Sequence, residues 1–333
     1  MARELKFVSI REAFEYYRGN PDGTLPLNEV ARASEFAIFL GKGLNTLLLQ
    51  GYNENQGVWA ECMTVVPSTM AFETYPNLGT VTTPEQRLPG GEFVRGSFAS
   101  EDTRIFNLEY GEILEIDRWL IDTDQTKKIQ AMPQELGKAH ARGKNILIAA
   151  FYNAGITNTI YDTVVMFANA ATGGHPNITG GAANAANVNR LALGAITTAN
   201  LETALLTLDL WCGLEGEVID VDSIKLIVST SERLTASQIL NSASYPAATW
   251  SSGVATMPDF KKLQLVVNKR LTAQSWYITT NIKGNIHQQF KDLELTKESD
   301  EAGESFDKRI YRYRSYEACA QGCADWRFGL KCA

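Results

Sequence analysis

Apolar residues recur at helical spacing in some stretches of the chain and at alternate positions in others. Ser9-Ile10-Arg11-Glu12 has the form of a capping box, and Ala13, Phe14 and Tyr17 follow before Gly19-Asn20-Pro21 stops the helix. The apolar-rich segment from Val30 to Leu49 predicts a second helix, with a break at Gly41 and Gly43. The longest helix is expected from Met132 to Asn153. Asp122-Thr123-Asp124 introduces it, Pro133 sits in its first turn, and Gly155 closes it. Ile129, Met132, Leu136, Ala139, Gly143, Ile146 and Ala150 recur at steps of three and four and predict one buried stripe. At ~1.5 Å per residue this helix is a spine of about 30 Å. Thr198 opens another helix, with Leu201, Leu205, Leu208 and Trp211 at helical spacing and Gly213 at its end. Thr235 to Leu240 is short enough to be a helical turn or a loop.

Strand-like alternation appears in two runs, Glu92 to Ala99 and Arg104 to Tyr110. Ser100-Glu101-Asp102 supplies the turn between them, so a long hairpin with little core of its own is expected. Its apolar Phe93, Phe98, Ile105, Phe106 and Leu108 are interleaved with Glu92, Arg95, Glu101, Asp102, Arg104 and Glu109. A two-stranded ribbon cannot bury both faces by itself, and a neighbour is expected to cover these residues. Ile224 to Thr230, Lys262 to Asn268 and Ser275 to Thr280 predict further strands. Residues 168–189, rich in Ala, Gly and Asn, read as a long surface loop. In Arg309 to Arg314, Tyr311 and Tyr313 fall on one face of a strand and Arg312 and Arg314 on the other. Amphipathic alternation accounts for that run more simply than a nucleic-acid site of stacked tyrosines and arginines. Helices and strands intermingle without regular βαβ order, which favours an α+β fold.

Composition narrows the classes. With 333 residues and 44% hydrophobic, the chain can bury a sizeable core. A net charge of -7 argues against wrapping nucleic acid by phosphate neutralisation. Charges from Arg3 to Glu15 interrupt any signal peptide, and no apolar run approaches a membrane span. Cys62, Cys212, Cys319, Cys323 and Cys332 are odd in number and are expected to be reduced; the sequon at Asn177 is read as chance.

Candidate chemistry is sparse. His140, His175 and His287 lie far apart and belong to no metal motif, and His140 is expected at the edge of the core. Cys319 and Cys323 lack the spacing and the second pair of a zinc site. Gly90-Gly91, Gly173-Gly174 and Gly180-Gly181 match no phosphate-binding loop, and no nucleophile elbow occurs. No catalytic residue, cofactor or metal is expected.

Several short stretches, and above all their order, resemble the major capsid proteins of tailed bacteriophages. They are Leu88-Pro89-Gly90-Gly91-Glu92, Glu109-Tyr110-Gly111-Glu112, the run from Ile116 to Asp124, Leu226 to Thr230, Ala236 to Leu240, Leu265-Val266-Val267, Trp276-Tyr277-Ile278 and Asp325-Trp326-Arg327-Phe328. The resemblance spans about Pro76 to Gly329 and is closest to phage Mu-like head subunits. It implies a Hong Kong 97-like fold: an N-terminal arm and leading helices (1–75), an E-loop (76–110), a P-domain with the spine helix (111–160), an A-domain (161–289) and a returning P-domain segment (290–333).

The function so implied is self-assembly into hexamers and pentamers that close an icosahedral shell around double-stranded DNA. The expected partners are copies of the chain, a portal, and a separate scaffold or decoration protein, with assembly in the host cytoplasm and a final place in the virion. No lysine lies between Lys42 and Lys127, so the E-loop has no amine for the covalent cross-link that some members make. Two rivals remain. An encapsulin-like nanocompartment would enclose cargo enzymes instead of a genome, and a soluble hydrolase built around His175 would elute as a small species.

Overall fold

The chain is described by a computed structural model over residues 43, 45–78, 100–117, 128–177, 181–213, 216–241, 262–297 and 310–333. The helix expected after Ser9 and the strand expected from Glu92 to Ala99 lie outside these residues. In chain order the elements are α1 (45–54), α2 (Trp59–Cys62), β1 (Thr64–Pro67), β2 (Phe72–Leu78), β3 (Ser100–Phe106), β4 (Leu108–Asp117), α3 (Lys128–Ala154), β5 (Arg190–Leu191), α4 (Thr198–Leu208), β6 (Ser223–Val228), α5 (Arg233–Asn241), β7 (Gln264–Val267), β8 (Trp276–Thr280), β9 (Asn285–Lys297), β10 (Ile310–Cys323) and β11 (Gly329–Cys332). Helix and sheet are mixed without βαβ alternation, as the pattern implied. Two compact units divide the chain.

The first unit comprises Met1–Gln56, Glu109–Arg142 and Lys291–Ala318. Its core joins Leu48 and Tyr52 of α1 to Leu136 and Ala141 of α3 and Leu293 of β9, with Leu114 and Leu295 packed against them. The expected helix up to Leu49 thus continues to residue 54.

Helix α3 corrects the expected stripe. Its buried positions are Pro133, Leu136, Gly137, His140, Ala141, Lys144, Asn145, Ile148, Ala149 and Tyr152, at steps of three and one that hold a single face. Met132 and Ile146, both expected inside, are 41% and 50% exposed. The face is hard to read because three of its members are polar. Within the first unit, His140 lies between Glu317 and Ser315, with Nδ1 3.0 Å from the Glu317 carboxylate and Nε2 3.0 Å from the Ser315 hydroxyl. That hydroxyl in turn donates to the Glu112 carbonyl on β4.

The second unit comprises Gly57–Leu108, Gly143–Phe290 and Cys319–Ala333. Its five-stranded mixed sheet runs β5-β11-β8-β6-β7, with β6–β7 and β11–β5 parallel and β6–β8 and β11–β8 antiparallel. Both faces are covered. Leu226, Val228, Trp276, Ile278, Leu330 and Cys332 point to one side, where Leu201, Ala204 and Leu208 of α4 meet them with Trp211 and Trp326. The alternate residues Ile227, Val266 and Tyr277 point to the other side, onto Ile148, Tyr152, Phe167 and Phe328. This period of two is that of an extended strand, and it explains why β8 is buried at every position. Helix α5 begins at Arg233 after a 3-10 turn, so the stretch from Thr235 to Leu240, open between a helical turn and a loop, is helical.

Two loop expectations change. Residues 168–189, within their described part, are only partly a surface loop: Ala170–Thr172 and residues 181–183 are exposed, but His175, Asn187 and Asn189 have no exposed surface. The Asn187 side chain accepts from the Cys212 amide, and the Trp211 indole donates to the Val188 carbonyl. Side-chain amides here satisfy the backbone that a buried loop would otherwise strand, so an Asn-rich composition misleads. Likewise Ser100-Glu101-Asp102 is not a turn. It begins β3, which pairs antiparallel with β2 from Phe72↔Phe106 to Leu78↔Ser100. One face of the ribbon, with Phe72, Thr74, Asp102, Arg104 and Phe106, is exposed while the alternate residues lie half-buried or buried on their own unit, and an exposed face tolerates the polar residues that make the stretch resemble a turn.

Candidate functional site

No group of three or more His, Cys, Asp or Glu capable of holding a metal occurs among the described residues. Nor is any described helix long and apolar enough to cross a membrane. All five cysteines are free and buried, and burial pushes the Cys62 thiol up to about 12 and raises those of Cys323 and Cys332 as well. A thiolate, the reactive form, is therefore suppressed. The neighbourhood proposed for a hydrolase is closed, since His175 is enclosed between Asp162 and Asn189 and stacked on Trp326.

What the second unit offers instead is a surface. The β2–β3 ribbon carries Glu101, Asp102, Arg104, Ile105 and Phe106, and Leu108 follows it. Glu92, Phe93, Arg95 and Phe98 lie outside the described residues. Glu109 belongs to β4 in the first unit, where it accepts a hydrogen bond from the Tyr316 hydroxyl, so the expected contact set is not one hairpin.

The described members divide by exposure. Ile105 is 6% exposed and packs with Ile286, Ala320 and Ala324 of its own unit. Phe106 and Leu108 are 62% and 57% exposed. Beside them stand Phe72, whose ring centroid is 5.5 Å from that of Phe106, and Met70. Asn107 joins these residues by donating from its side chain to the Met70 carbonyl and the Ser68 hydroxyl. Asp102 and Arg104 form a 4.0 Å ion pair in full solvent, a contact worth little.

Three polar contacts hold the ribbon in place. Asn77 donates to Asp325, Gln288 donates to the Tyr75 hydroxyl, and the Glu73 carboxylate accepts from the Thr69 and Met70 amides and the Ser68 hydroxyl. Those bonds, the Thr69 amide first, hold the Glu73 carboxyl below its ordinary range. Met70 and Phe72 were missed from sequence because the partner of β3 was sought after Pro89. The alternation Phe72-Glu73-Thr74-Tyr75 was the available signal.

Solved capsid structures resemble this chain. With the capsid of the cyanophage P-SCSP1u it aligns over 81% of its length and 86% of that chain, at 10% identity and a TM-score of 0.52, a likeness of fold. The capsid of bacteriophage JBD30 aligns over 81% of this chain at 16% identity and a TM-score of 0.44, and this chain spans 62% of that one. The JBD30 procapsid aligns over 92% and 75% of the two chains, at 17% identity and a TM-score of 0.43. No curated relative matches. The profile described as phage capsid protein matches residues 101–332, which reach from the ribbon through the last strand, and the chain belongs to that family.

Proposed function

We propose that the chain is the major shell subunit of a tailed phage related to the Mu-like heads. In this reading it has a Hong Kong 97-like fold and assembles as hexamers and pentamers into an icosahedral shell around double-stranded DNA. Its role is structural and not enzymatic. The E-loop is assigned to 76–110, the P-domain to 111–160 and 290–333, the A-domain to 161–289, and the arm to 1–75. Assembly takes place in the host cytoplasm with a portal and a separate scaffold or decoration protein, and the DNA is enclosed without sequence-specific binding.

The observation that carries the reading is the exposed apolar group Met70, Phe72, Phe106 and Leu108 on a ribbon of a capsid-family chain. Two strands cannot cover their own apolar side chains, and a second copy would do so repeatedly around a closed ring. Many such modest contacts make a shell stable through multivalency. The test is electron microscopy and nucleic-acid analysis of particles formed with the phage partners supplied. Closed, DNA-filled shells are expected, and protein-filled or absent particles would overturn the reading. The ribbon is tested separately by changing Phe72, Phe106 and Leu108 together to Ser. The variant should remain folded by circular dichroism yet fail to close shells, and normal particles would refute the ribbon's role.

A further inference from the structure

His175 has no exposed surface, and both of its ring nitrogens face oxygen. Nδ1 is 2.5 Å from Asp162 Oδ2, and Nε2 is 3.2 Å from Asn189 Oδ1. Other bonds fix the orientation of Asn189. Its Oδ1 accepts from the Ala168 amide at 2.6 Å, and its Nδ2 donates to the carbonyls of Met166 and Trp326 at 2.8 and 3.2 Å. Turning the amide over would set donor against donor and oxygen against two carbonyls. Asn189 therefore presents an acceptor to His175. Ionised Asp162 presents another, its second oxygen already taken by the Val164 amide at 3.0 Å. A neutral imidazole has one N–H and one lone pair, so it can satisfy only one of these neighbours.

We propose that the His175–Asp162 pair holds two protons in the folded chain, one on Nε2 donated to Asn189 and one between Nδ1 and Asp162, and that the protonated pair latches residues 162–189 to the turn Trp326–Phe328. The pair is neutral as a whole, which removes the main cost of burying a charge. Trp326 stacks on the ring with centroids 4.5 Å apart and planes 4° from parallel, an arrangement that suits a cationic imidazole. The other ionisable groups nearby do not compete for the proton. Asp325 is paired with Arg327 at 3.4 Å, and burial keeps the Tyr161 hydroxyl and the Cys323 thiol neutral.

In Asp162→Asn the new amide can donate to a neutral Nδ1 while its oxygen still accepts from Val164, so every bond survives without the extra proton.

Magic-angle-spinning 15N NMR of histidine-labelled particles or chain at about pH 7.5 reads the proton count directly. Wild type should show both His175 nitrogens protonated, and Asp162→Asn should move that one histidine to a singly protonated form. A bare ring nitrogen on His175 in wild type would overturn the proposal even if the variant failed to fold, and so would an Asp162→Asn chain in which both His175 nitrogens stay protonated.

Discussion

Gly137 on α3 and Gly51 on α1 allow two helices of the first unit to touch backbone to backbone. A methyl group on Gly137 would lie 2.0 Å from the Leu48 carbonyl oxygen, and one on Gly51 would lie 2.2 Å from that of Gln134. Backbone cannot step aside as a side-chain end can, so Gly137→Ala should destabilise the chain by at least ~1–3 kcal/mol, the usual cost of overpacking. Gly143 is the control. It lies on the same helix with nothing within 4 Å of the added carbon, and Gly143→Ala should stabilise by about 0.5–1 kcal/mol through helix propensity alone. Denaturant midpoints of the two variants, shifted in opposite directions, check both. The thiols make a second residue-scale prediction. Buried and shifted upward, Cys62, Cys323 and Cys332 should resist alkylation in the native chain. After denaturation without reductant, peptide mapping should find all five cysteines labelled and none disulfide-bonded.

The elements most legible in the sequence are those whose burial follows one simple period. Strands β6, β7 and β8 were read within one to two residues because apolar runs bounded by turns leave little choice; the start of α4 at Thr198 was read too, but the helix stops at Leu208, so Trp211 and the expected end at Gly213 lie beyond it. Helix α3 was found but its buried face was not. His140 and Lys144 occupy inward positions because Glu317 and Gln289 satisfy them, and sequence cannot display partners so distant. This yields a direct comparison. His140→Leu, which removes the ring that the Glu317 carboxylate and the Ser315 hydroxyl both contact, should cost about 1–3 kcal/mol. Met132→Lys and Ile146→Lys, on the side expected to be buried, should each stay within about 0.5 kcal/mol in the unassembled chain. Thermal melts of the three variants distinguish the observed face from the expected one. Strand β9 went unread for a related reason: its buried positions include His287 and Gln288, which no hydrophobic pattern marks.

At the scale of the whole molecule, family membership was legible from the order of weak motifs, while the exposed apolar group was only half so. Phe106 and Leu108 were named in advance, but Ile105 serves its own core, and Met70 and Phe72 were hidden by the misplaced turn. Because no lysine lies between Lys42 and Lys127, boiled and reduced particles should contain no cross-linked peptide from 76–110. Mass spectrometry of any slower gel band checks this. The place of β11 in the sheet bears on how the subunit comes into being. It lies between β5 and β8, and all four of its residues are buried, yet it follows both in sequence. During synthesis β5 and β8 emerge with that position between them empty, and each keeps an unpaired edge until residues 329–332 arrive. Sequence-distant pairings of this kind fold slowly and leave sticky edges exposed meanwhile. The nascent chain thus carries both open edges, and the aggregation risk they bring, until β11 finds its place between them.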